Sequence, residues 1–497
     1  MYPIALRFLL TLVGSCWLWT AAGAGYFAYH ERARLIYERI TELRLAEATT
    51  LIAQLQKDEP DNLAAVHLAN YVDFFTVYVS EDVQTYRRLK VNRELRLKRL
   101  ADGDTQSPYL LYSQAEIRLH WALLKFRFED YLSAFTDINR AHKLLLKNEA
   151  RFPHFIGNKK DLGILHAAVG TVPDNYRWAL ELISSLEGTV EQGKREVEMV
   201  LRDGAAADFP FMQETQVLYS FLLLHLDGRP KAAWAALEDA QLRPKETPLH
   251  AFVLANVAMR TGRNEAAIRW LSAAPRDQRF FPIPFLDYML GVAKLRRLDP
   301  SAKRHLLSFL AATKGRHYIK EAHQKMGWAA LLEGRPLEYR RQMRLVTQKG
   351  TDAAGGDRNA LREATAGKIP QLDLLRARLR YDGGYYQEGL DLLNGLTFST
   401  LTDATNQLEY TYRKGRLLQG LERYDAALAQ FNTTIATGAE NPAFFACNAA
   451  LQAGLVEEKR RRYPAAKRYF QRCLAIHPDE YRTGLHQQAK AGLSRLR

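Results

Sequence analysis

Two segments near the C-terminus share one pattern of small and aromatic residues, and this pattern constrains the fold more than any other feature. The shared positions are a small residue, an alanine twelve residues later and a phenylalanine four residues after that. They are Gly415, Ala427 and Phe431 in the first segment and Gly454, Ala466 and Phe470 in the second, each pair 39 residues apart. Small residues at such spacing let two helices touch, so the pattern predicts a repeated helix-turn-helix unit.

The pattern resembles the tetratricopeptide repeat. When Cys447 is counted as position 1 of a 34-residue unit, Gly454, Ala466 and Phe470 fall at positions 8, 20 and 24, and Pro478 falls at position 32. Pro at that place ends the second helix. The spacing between the two copies is five residues longer than the family's period. The basic run KRRR at 459–462 then lies in the turn between two helices, where solvated charges are expected.

Weaker copies extend toward the N-terminus and place small or apolar residues at the same positions. They are Ala377, Gly389 and Leu393; Ala255, Ala267 and Leu271; and Ala122, Ala134 and Ala141. A helix pair of this kind buries its apolar face only by stacking on its neighbours. The sequence lacks sustained apolar/polar alternation and Asn-Gly hairpin turns. We therefore expect an all-α fold, an α-solenoid of stacked tetratricopeptide-like repeats.

The predicted organisation has a divergent helical-repeat region at 35–345, a flexible loop at 346–369 and a tetratricopeptide array at 370–497. The motif "FFPIPF" (280–285) is too rich in proline to continue a helix, and "KGTDAAGGDRN" (349–359) is typical of a loop. That loop is either a hinge between two lobes or a surface insertion, and the insertion is favoured.

The N-terminal segment bears on the compartment. Arg7, an apolar stretch from Phe8 and the small residues Ala22-Gly23-Ala24 predict a signal peptide at 1–24. The apolar stretch runs on to Tyr29, so a membrane anchor at 8–29 is the alternative. "VGSC" partly resembles a lipobox, with Cys16 as the lipidated residue. A buried helix is disfavoured because the stretch is terminal and not amphipathic. Each favoured route predicts an exported protein of the periplasm or cell envelope.

No constellation for catalysis or metal binding stands out. The sequence has no G-x-S-x-G elbow, no Walker A loop and no G-x-G-x-x-G motif after a strand. Cys447 and Cys473 form no zinc spacing, and repeat geometry predicts that they are too far apart for a disulfide and remain buried thiols. We expect a protein that is not an enzyme and that has no cofactor and no metal.

The charge balance favours acidic partners. The chain carries 70 Lys and Arg against 55 Asp and Glu, a net charge of +15. Export argues against nucleic acid. The densest basic stretch, "YRRLKVNRELRLKRL" (86–100), has seven Lys or Arg and one Glu. It is interpreted as a solvated face, with contact to an anionic membrane surface as the alternative.

The resemblance implies that the first helix of each repeat lines a concave groove that binds extended peptides, through positions 2, 5, 6, 9 and 12. The expected partner-binding residues at these positions are Arg378, Tyr412, Arg413, Arg416, Asn448 and Gln452. They suggest a basic groove suited to carboxylates of an acidic protein or peptide. The family's Lys/Asn clamp for a chain-terminal carboxylate is not reproduced.

From about residue 40 to the C-terminus, and including the stretch "HAAVGTVPDNYRWALELISSLEGTVEQG" (166–193), the chain resembles a class of exported bacterial tetratricopeptide proteins and, more distantly, the eukaryotic inclusion-body-clearance family. This resemblance supports the fold and brings no catalytic residues. The leading functional hypothesis is a non-enzymatic scaffold or adaptor of the cell envelope. The alternative is a surface lipoprotein, lipidated at Cys16, that binds an extracellular substrate for an outer-membrane transporter.

Overall fold

The structure, a computed structural model, describes residues 24–170 and 186–496. These residues form 24 α-helices and no β-strand. The helices before the internal gap are α1 (Glu31–Thr41), α2 (Leu45–Asp58), α3 (Ala64–Ser80), α4 (Val83–Ala101), α5 (Pro108–Arg127), α6 (Tyr131–Arg151) and α7 (Gly157–Gly170).

The second described range supplies the remaining helices. Those up to residue 348 are α8 (Val190–Asp203), α9 (Met212–His225), α10 (Pro230–Glu238), α11 (Pro248–Arg260), α12 (Asn264–Ala273), α13 (Phe285–Arg296), α14 (Ala302–Ala312), α15 (Ile319–Leu332) and α16 (Pro336–Gln348). They are followed by α17 (Gly355–Ala366), α18 (Leu372–Gly383), α19 (Tyr386–Asn394), α20 (Ala404–Gly420), α21 (Tyr424–Gly438), α22 (Phe445–Lys459), α23 (Tyr463–Ala475) and α24 (Arg482–Arg495).

Local sequence explains where many helices begin. Asp82 and Asp403 accept hydrogen bonds from the free backbone N–H groups at the starts of α4 and α20. Ser107 and Thr247 do the same for α5 and α11, where a proline follows in the first turn. The short turns between successive helices bring them together as antiparallel pairs.

The pairs stack into an all-α solenoid, as predicted. Helices α20 to α24 bury one continuous core that contains Ala427, Phe431, Ala466 and Phe470. A Cβ atom at Gly454 would stand 2.5 Å from the ring of Phe470, and one at Gly415 would stand 2.6 Å from Phe431. The repeat signature therefore marks the places where two helices are in closest contact.

Long-range contacts close the N-terminal part of the solenoid on itself. The backbone N–H of Phe281, within the proline-rich break, donates to the carbonyl oxygen of Leu43 at 2.7 Å. Glu81 pairs with Arg127 and accepts from His317 at 2.8 Å. The contacts of Phe281 with Leu43 and of His317 with Glu81 join residues more than 200 positions apart, which no helical periodicity could reveal.

The start of the described chain is part of this fold. Gly25 forms an isolated bridge with Gly103, and Tyr26 forms one with Asn62. Tyr29 is buried, and its hydroxyl lies 2.6 Å from Nδ1 of His67. Residues 25–29, at the C-terminal end of the anchor predicted as the alternative at 8–29, therefore pack against protein, and residues 8–23 of that segment lie outside the described residues. Within the described ranges, no helix combines the length and the hydropathy needed to cross a bilayer.

The prediction of a flexible loop at 346–369 is wrong for half of that segment. Helix α17 occupies Gly355–Ala366 within it. Buried Asp357 accepts hydrogen bonds from the backbone N–H groups of Tyr318 at 2.6 Å and Glu321 at 2.9 Å, at the start of α15. The Gly-Gly pair suggested a loop, but these tertiary hydrogen bonds hold the segment as a helix.

Cys447 and Cys473 are both free and buried. Their sulfur atoms lie 3.6 Å apart, so the two positions face each other rather than being out of register as expected. The hydrogen bond with Cys447, and then burial, raise the pKa of Cys473.

Replacing Ala427 by Leu should destabilise the array. Ala427 has no exposed surface, and three extra carbon atoms at a close helix contact overpack the core, at a cost of about 1–3 kcal/mol. The neighbouring Ala426→Leu is the matched control, because Ala426 is exposed on the same helix. Equal urea-unfolding midpoints for the two variants would contradict the packing of α21.

The Asp357 contacts predict a pH effect. Burial raises the pKa of Asp357 from 3.8 to about 6, although the two backbone N–H groups oppose the shift. The folded chain then holds a proton that the unfolded chain has lost, so wild-type stability should fall as pH rises from about 4 to 6, by about 2 kcal/mol relative to Asp357→Asn. Urea unfolding across this window measures it. Asp352→Asn, at an exposed neighbour, should show no such trend.

Candidate functional site

The predicted groove residues on α20 and α22 form one hydrogen-bonded row. Arg416 donates to the hydroxyl of Tyr412 at 2.9 Å, and Asn448 donates to the same hydroxyl at 2.8 Å. Gln452 donates to Asn448 at 3.1 Å and accepts from Gln419 at 3.2 Å. The helix periodicity of the repeats thus brings side chains of two successive units into direct contact.

Tyr381 extends this row to α18. Arg416 lies over its ring, with the guanidinium carbon 4.6 Å from the ring centroid, and donates to its hydroxyl. Burial alone would lower the pKa of Arg416, but the hydroxyls of Tyr412 and Tyr381 more than offset this and raise it. Arg416 is therefore a fixed cation clamped between two phenols.

Arg378 lies on the same helix as Tyr381, one turn earlier. Its guanidinium carbon stands 4.6 Å from the ring centroid of Trp328, and the ammonium of Lys325 lies 3.8 Å from the same centroid. Among the described residues, none accepts a hydrogen bond from Arg378 or forms an ion pair with it. Its donors are thus available to a ligand, whereas those of Arg416 are already shared with tyrosines.

Arg413 differs from the other two arginines. It is buried and pairs with Glu409 one turn earlier, with the closest nitrogen–oxygen distance at 2.5 Å. Glu409 also acts on Arg378: burial lowers the pKa of Arg378, but Asp382, Glu363 and Glu409 outweigh it and raise the pKa. The groove therefore carries carboxylates among its cations, and its charge is mixed rather than uniformly basic.

Helix α17 contributes a residue that the sequence did not reveal. Glu363 accepts from the indole N–H of Trp328 and from the amide of Gln324, both at 2.7 Å. This holds the ring on which Arg378 rests. Tyr381 and Gln419, in contrast, stand at position 12 of their repeats, so the positional rule that selected the other residues would also have selected them.

A second polar cluster lies deep in the N-terminal part and was not predicted. Its centre is Glu116, fully buried on α5, which pairs with Lys160 on α7 and with His67 on α3 at 2.6 Å. Lys160 also donates to Glu214 on α9 at 2.7 Å. The hydroxyl of Tyr71 lies 2.8 Å from Glu116 and 3.0 Å from Glu214.

The charges in this cluster act mainly on one another. Burial alone would raise the pKa of Glu116, but Lys160 and His67 lower it well below its usual range. Burial raises the pKa of Asp161 to about 8, against the attraction of Lys160 and with a further rise from Glu116. Since four helices supply the partners, we interpret this cluster as a structural clasp rather than a binding site.

In the described ranges, no group of three or more His, Cys, Asp or Glu side chains could hold a metal ion.

Comparisons with known proteins add little to this description. No family model matches the chain. No curated protein matches it either. Among solved structures, a chain of the APC/C hetero-tetramer Cut9-Hcn1 is similar at 13% identity, over 93% of this chain and 95% of that one, with a TM-score of 0.26. At that score the likeness carries no argument about site or partner. The tetratricopeptide-like repeat fold therefore rests on the helix pairs described above.

The clasp predicts a large loss for Lys160→Met. The substitution leaves Glu116 and Glu214 buried without their cation, which should cost about 3–5 kcal/mol of unfolding free energy. Adding Glu116→Gln should restore part of the loss, because it removes the uncompensated charge. Lys147→Met is the control: Lys147 is exposed on α6, so the loss should stay within about 0.5 kcal/mol. Chemical denaturation of the three variants provides the test.

Proposed function

We propose that this protein is a non-enzymatic scaffold of the cell envelope that holds acidic segments of partner proteins in the groove of its C-terminal repeats. The observation that carries the proposal is Arg378, a cation held against Trp328 without any acceptor among the described residues. A buried or half-buried arginine normally has an acceptor for its N–H groups. A carboxylate of a bound peptide would supply one.

The row beside Arg378 supports the same function. Arg416, Asn448 and Gln452 are half-buried on the helices that face the groove, and none of them is needed to fill the apolar core of α20 to α24. Hydrogen bonds join Arg416 on α20 to Asn448 and Gln452 on α22 through Tyr412, so this polar row spans two successive repeats. A polar row of this kind beside Arg378 suits an extended peptide, whose backbone carbonyls lie at regular intervals.

The envelope location is part of the proposal and rests on sequence alone. The signal peptide and Cys16 lie outside the described residues, except for Ala24 at the end of the predicted signal. Appearance of labelled fatty acid on the protein, and its loss in Cys16→Ser, would favour the surface-lipoprotein alternative instead.

Reversing the three arginines tests the groove. The triple variant carries Arg378→Glu, Arg413→Glu and Arg416→Glu. It should bind acidic peptides from a synthetic library about tenfold more weakly at low salt, since each pair of an arginine with a peptide carboxylate contributes only about 0–1 kcal/mol. The difference should shrink at higher salt, where screening is stronger. Fluorescence anisotropy gives the dissociation constants, and circular dichroism checks that the helices persist.

The matched control reverses three cations outside the groove. Arg461, Lys467 and Arg468 are exposed around the start of α23 and form no ion pair with described residues. Their replacement by Glu changes the net charge equally and should leave peptide affinity within about threefold. Equal losses in the two triple variants would mean that net charge, rather than the groove, attracts the peptides.

A further inference from the structure

The outward face of α4 combines positive charge with exposed apolar side chains. Val91 and Leu95 are 56% and 61% exposed, although both are aliphatic. Arg88 and Lys98 continue the same stripe, at helix spacings of three and four residues, and Arg87 and Lys90 flank it. All four cations are exposed.

Contacts with the rest of the protein account for the other basic residues of this helix. Arg93 is buried and pairs with Asp137, and Arg96 pairs with Asp73. Arg99 lies 3.6 Å from Asp61. By contrast, Arg87, Arg88, Lys90 and Lys98 form no ion pair or hydrogen bond with any residue in the described part of the chain. Pairing with carboxylates of the protein therefore accounts for three of the seven Lys and Arg residues of α4 and leaves four on one surface.

The start of the described chain is docked at the C-terminal end of α4. The backbone N–H of Gly25 donates to the carbonyl oxygen of Asp102 at 3.2 Å, and the N–H of Asp104 donates back to Gly25 at 2.6 Å. A Cβ at Gly25 would stand 2.8 Å from Leu63, so this contact is tight. The sequence that leads into Gly25, residues 8–23, contains no charged residue.

These two observations point to one kind of partner. At a rise of 1.5 Å per residue, Val91 lies roughly 15 Å along α4 from the end where Gly25 docks. A bilayer that held this uncharged stretch would thus lie near the C-terminal end of α4, within reach of its exposed face. Aliphatic side chains flanked by Lys and Arg are what such an interface binds, through the acyl boundary and the anionic head groups.

We propose that the outward face of α4, formed by Arg87, Arg88, Lys90, Val91, Leu95 and Lys98, binds the surface of an anionic membrane. This contact is separate from the peptide groove and adds a second binding surface to the scaffold. The chemistry recognised is a layer of phosphate or carboxylate head groups over acyl chains. A nucleic acid or an acidic protein would use the charges but would leave Val91 and Leu95 without a role.

Site-specific quenching tests the contact in the full chain. In a Cys16→Ser background, Val91→Cys is labelled with a nitrobenzoxadiazole fluorophore, while Cys447 and Cys473 remain protected by burial. The protein is mixed with vesicles of phosphatidylcholine, with or without phosphatidylserine, that contain nitroxide-labelled lipid. Quenching at position 91 on phosphatidylserine vesicles is the expected result. A probe at exposed Gln471, introduced as Gln471→Cys on α23, should be quenched far less.

Charge variants then separate α4 from the N-terminal segment. One variant replaces the four exposed cations of α4 by Gln, at Arg87, Arg88, Lys90 and Lys98. Its apparent partition coefficient onto phosphatidylserine vesicles, measured with the probe at position 91, should be lower on the order of a hundredfold. The control neutralises four exposed cations in α23 and the turn before it, namely Arg461, Lys467, Arg468 and Arg472. This control should leave the partition coefficient within about threefold of the wild-type value. Circular dichroism confirms that each variant is folded.

Three results would overturn the proposal. One is equal quenching at positions 91 and 471; another is quenching at 91 that does not depend on phosphatidylserine. The third is an equal effect of the two fourfold neutralisations, which would assign the attraction to net charge alone. Because the peptide groove lies on other helices, its failure in the peptide assay would leave these measurements unaffected.

Discussion

The close approach of paired helices at glycine is the constraint on which the solenoid depends. In the last repeats, the rings of Phe431 and Phe470 fill the space that a side chain at Gly415 or Gly454 would take. The same arrangement recurs in the divergent part, where a Cβ at Gly291 would stand 2.8 Å from Leu306, on the partner helix of the pair. Because close-packed interiors leave no slack, each such contact sets the distance between two helices. The spacing of the helices then places the groove residues.

The N-terminal part adds a second means of fixing its helices. Its repeat signals are weak, and the Glu116–Lys160–Glu214 clasp joins α5, α7 and α9 through buried charges. A buried charge is costly unless it is paired, so such a cluster disfavours other packings of the same helices. Contacts such as Glu81–His317 then hold together segments of this part that are far apart in sequence. Local repeats build the C-terminal array, whereas long-range polar contacts shape the rest.

This difference explains what could be predicted from the sequence. The repeat positions select Tyr412, Arg416, Asn448 and Gln452, which lie next to one another in the structure, because those positions depend on helix geometry and a regular stack. Their role in partner binding stays a prediction. That positional rule concerns contacts between successive repeats. It did not reveal that Arg413 pairs with Glu409, because both side chains project from the same helix. The segment 346–369 was predicted as a loop because Gly-Gly and polar residues usually form loops. Its helix depends on Asp357 and Glu363, whose partners lie 24 or more residues away.

The two proposed binding surfaces differ in how their cations are held. A chain of net charge +15 contains more Lys and Arg than its carboxylates can pair, so some cations must face solvent or a partner. In the groove, Arg378 and Arg416 are restrained by aromatic rings and Arg413 by its pair with Glu409, and Arg378 alone among the three lacks an acceptor in the described chain. Such a restrained cation loses little side-chain entropy on binding and favours one geometry of carboxylate. On α4 the four cations are exposed and unrestrained, which suits a fluid surface whose charges have no fixed positions. The structure thus separates a surface suited to a specific partner from one suited to a lipid layer.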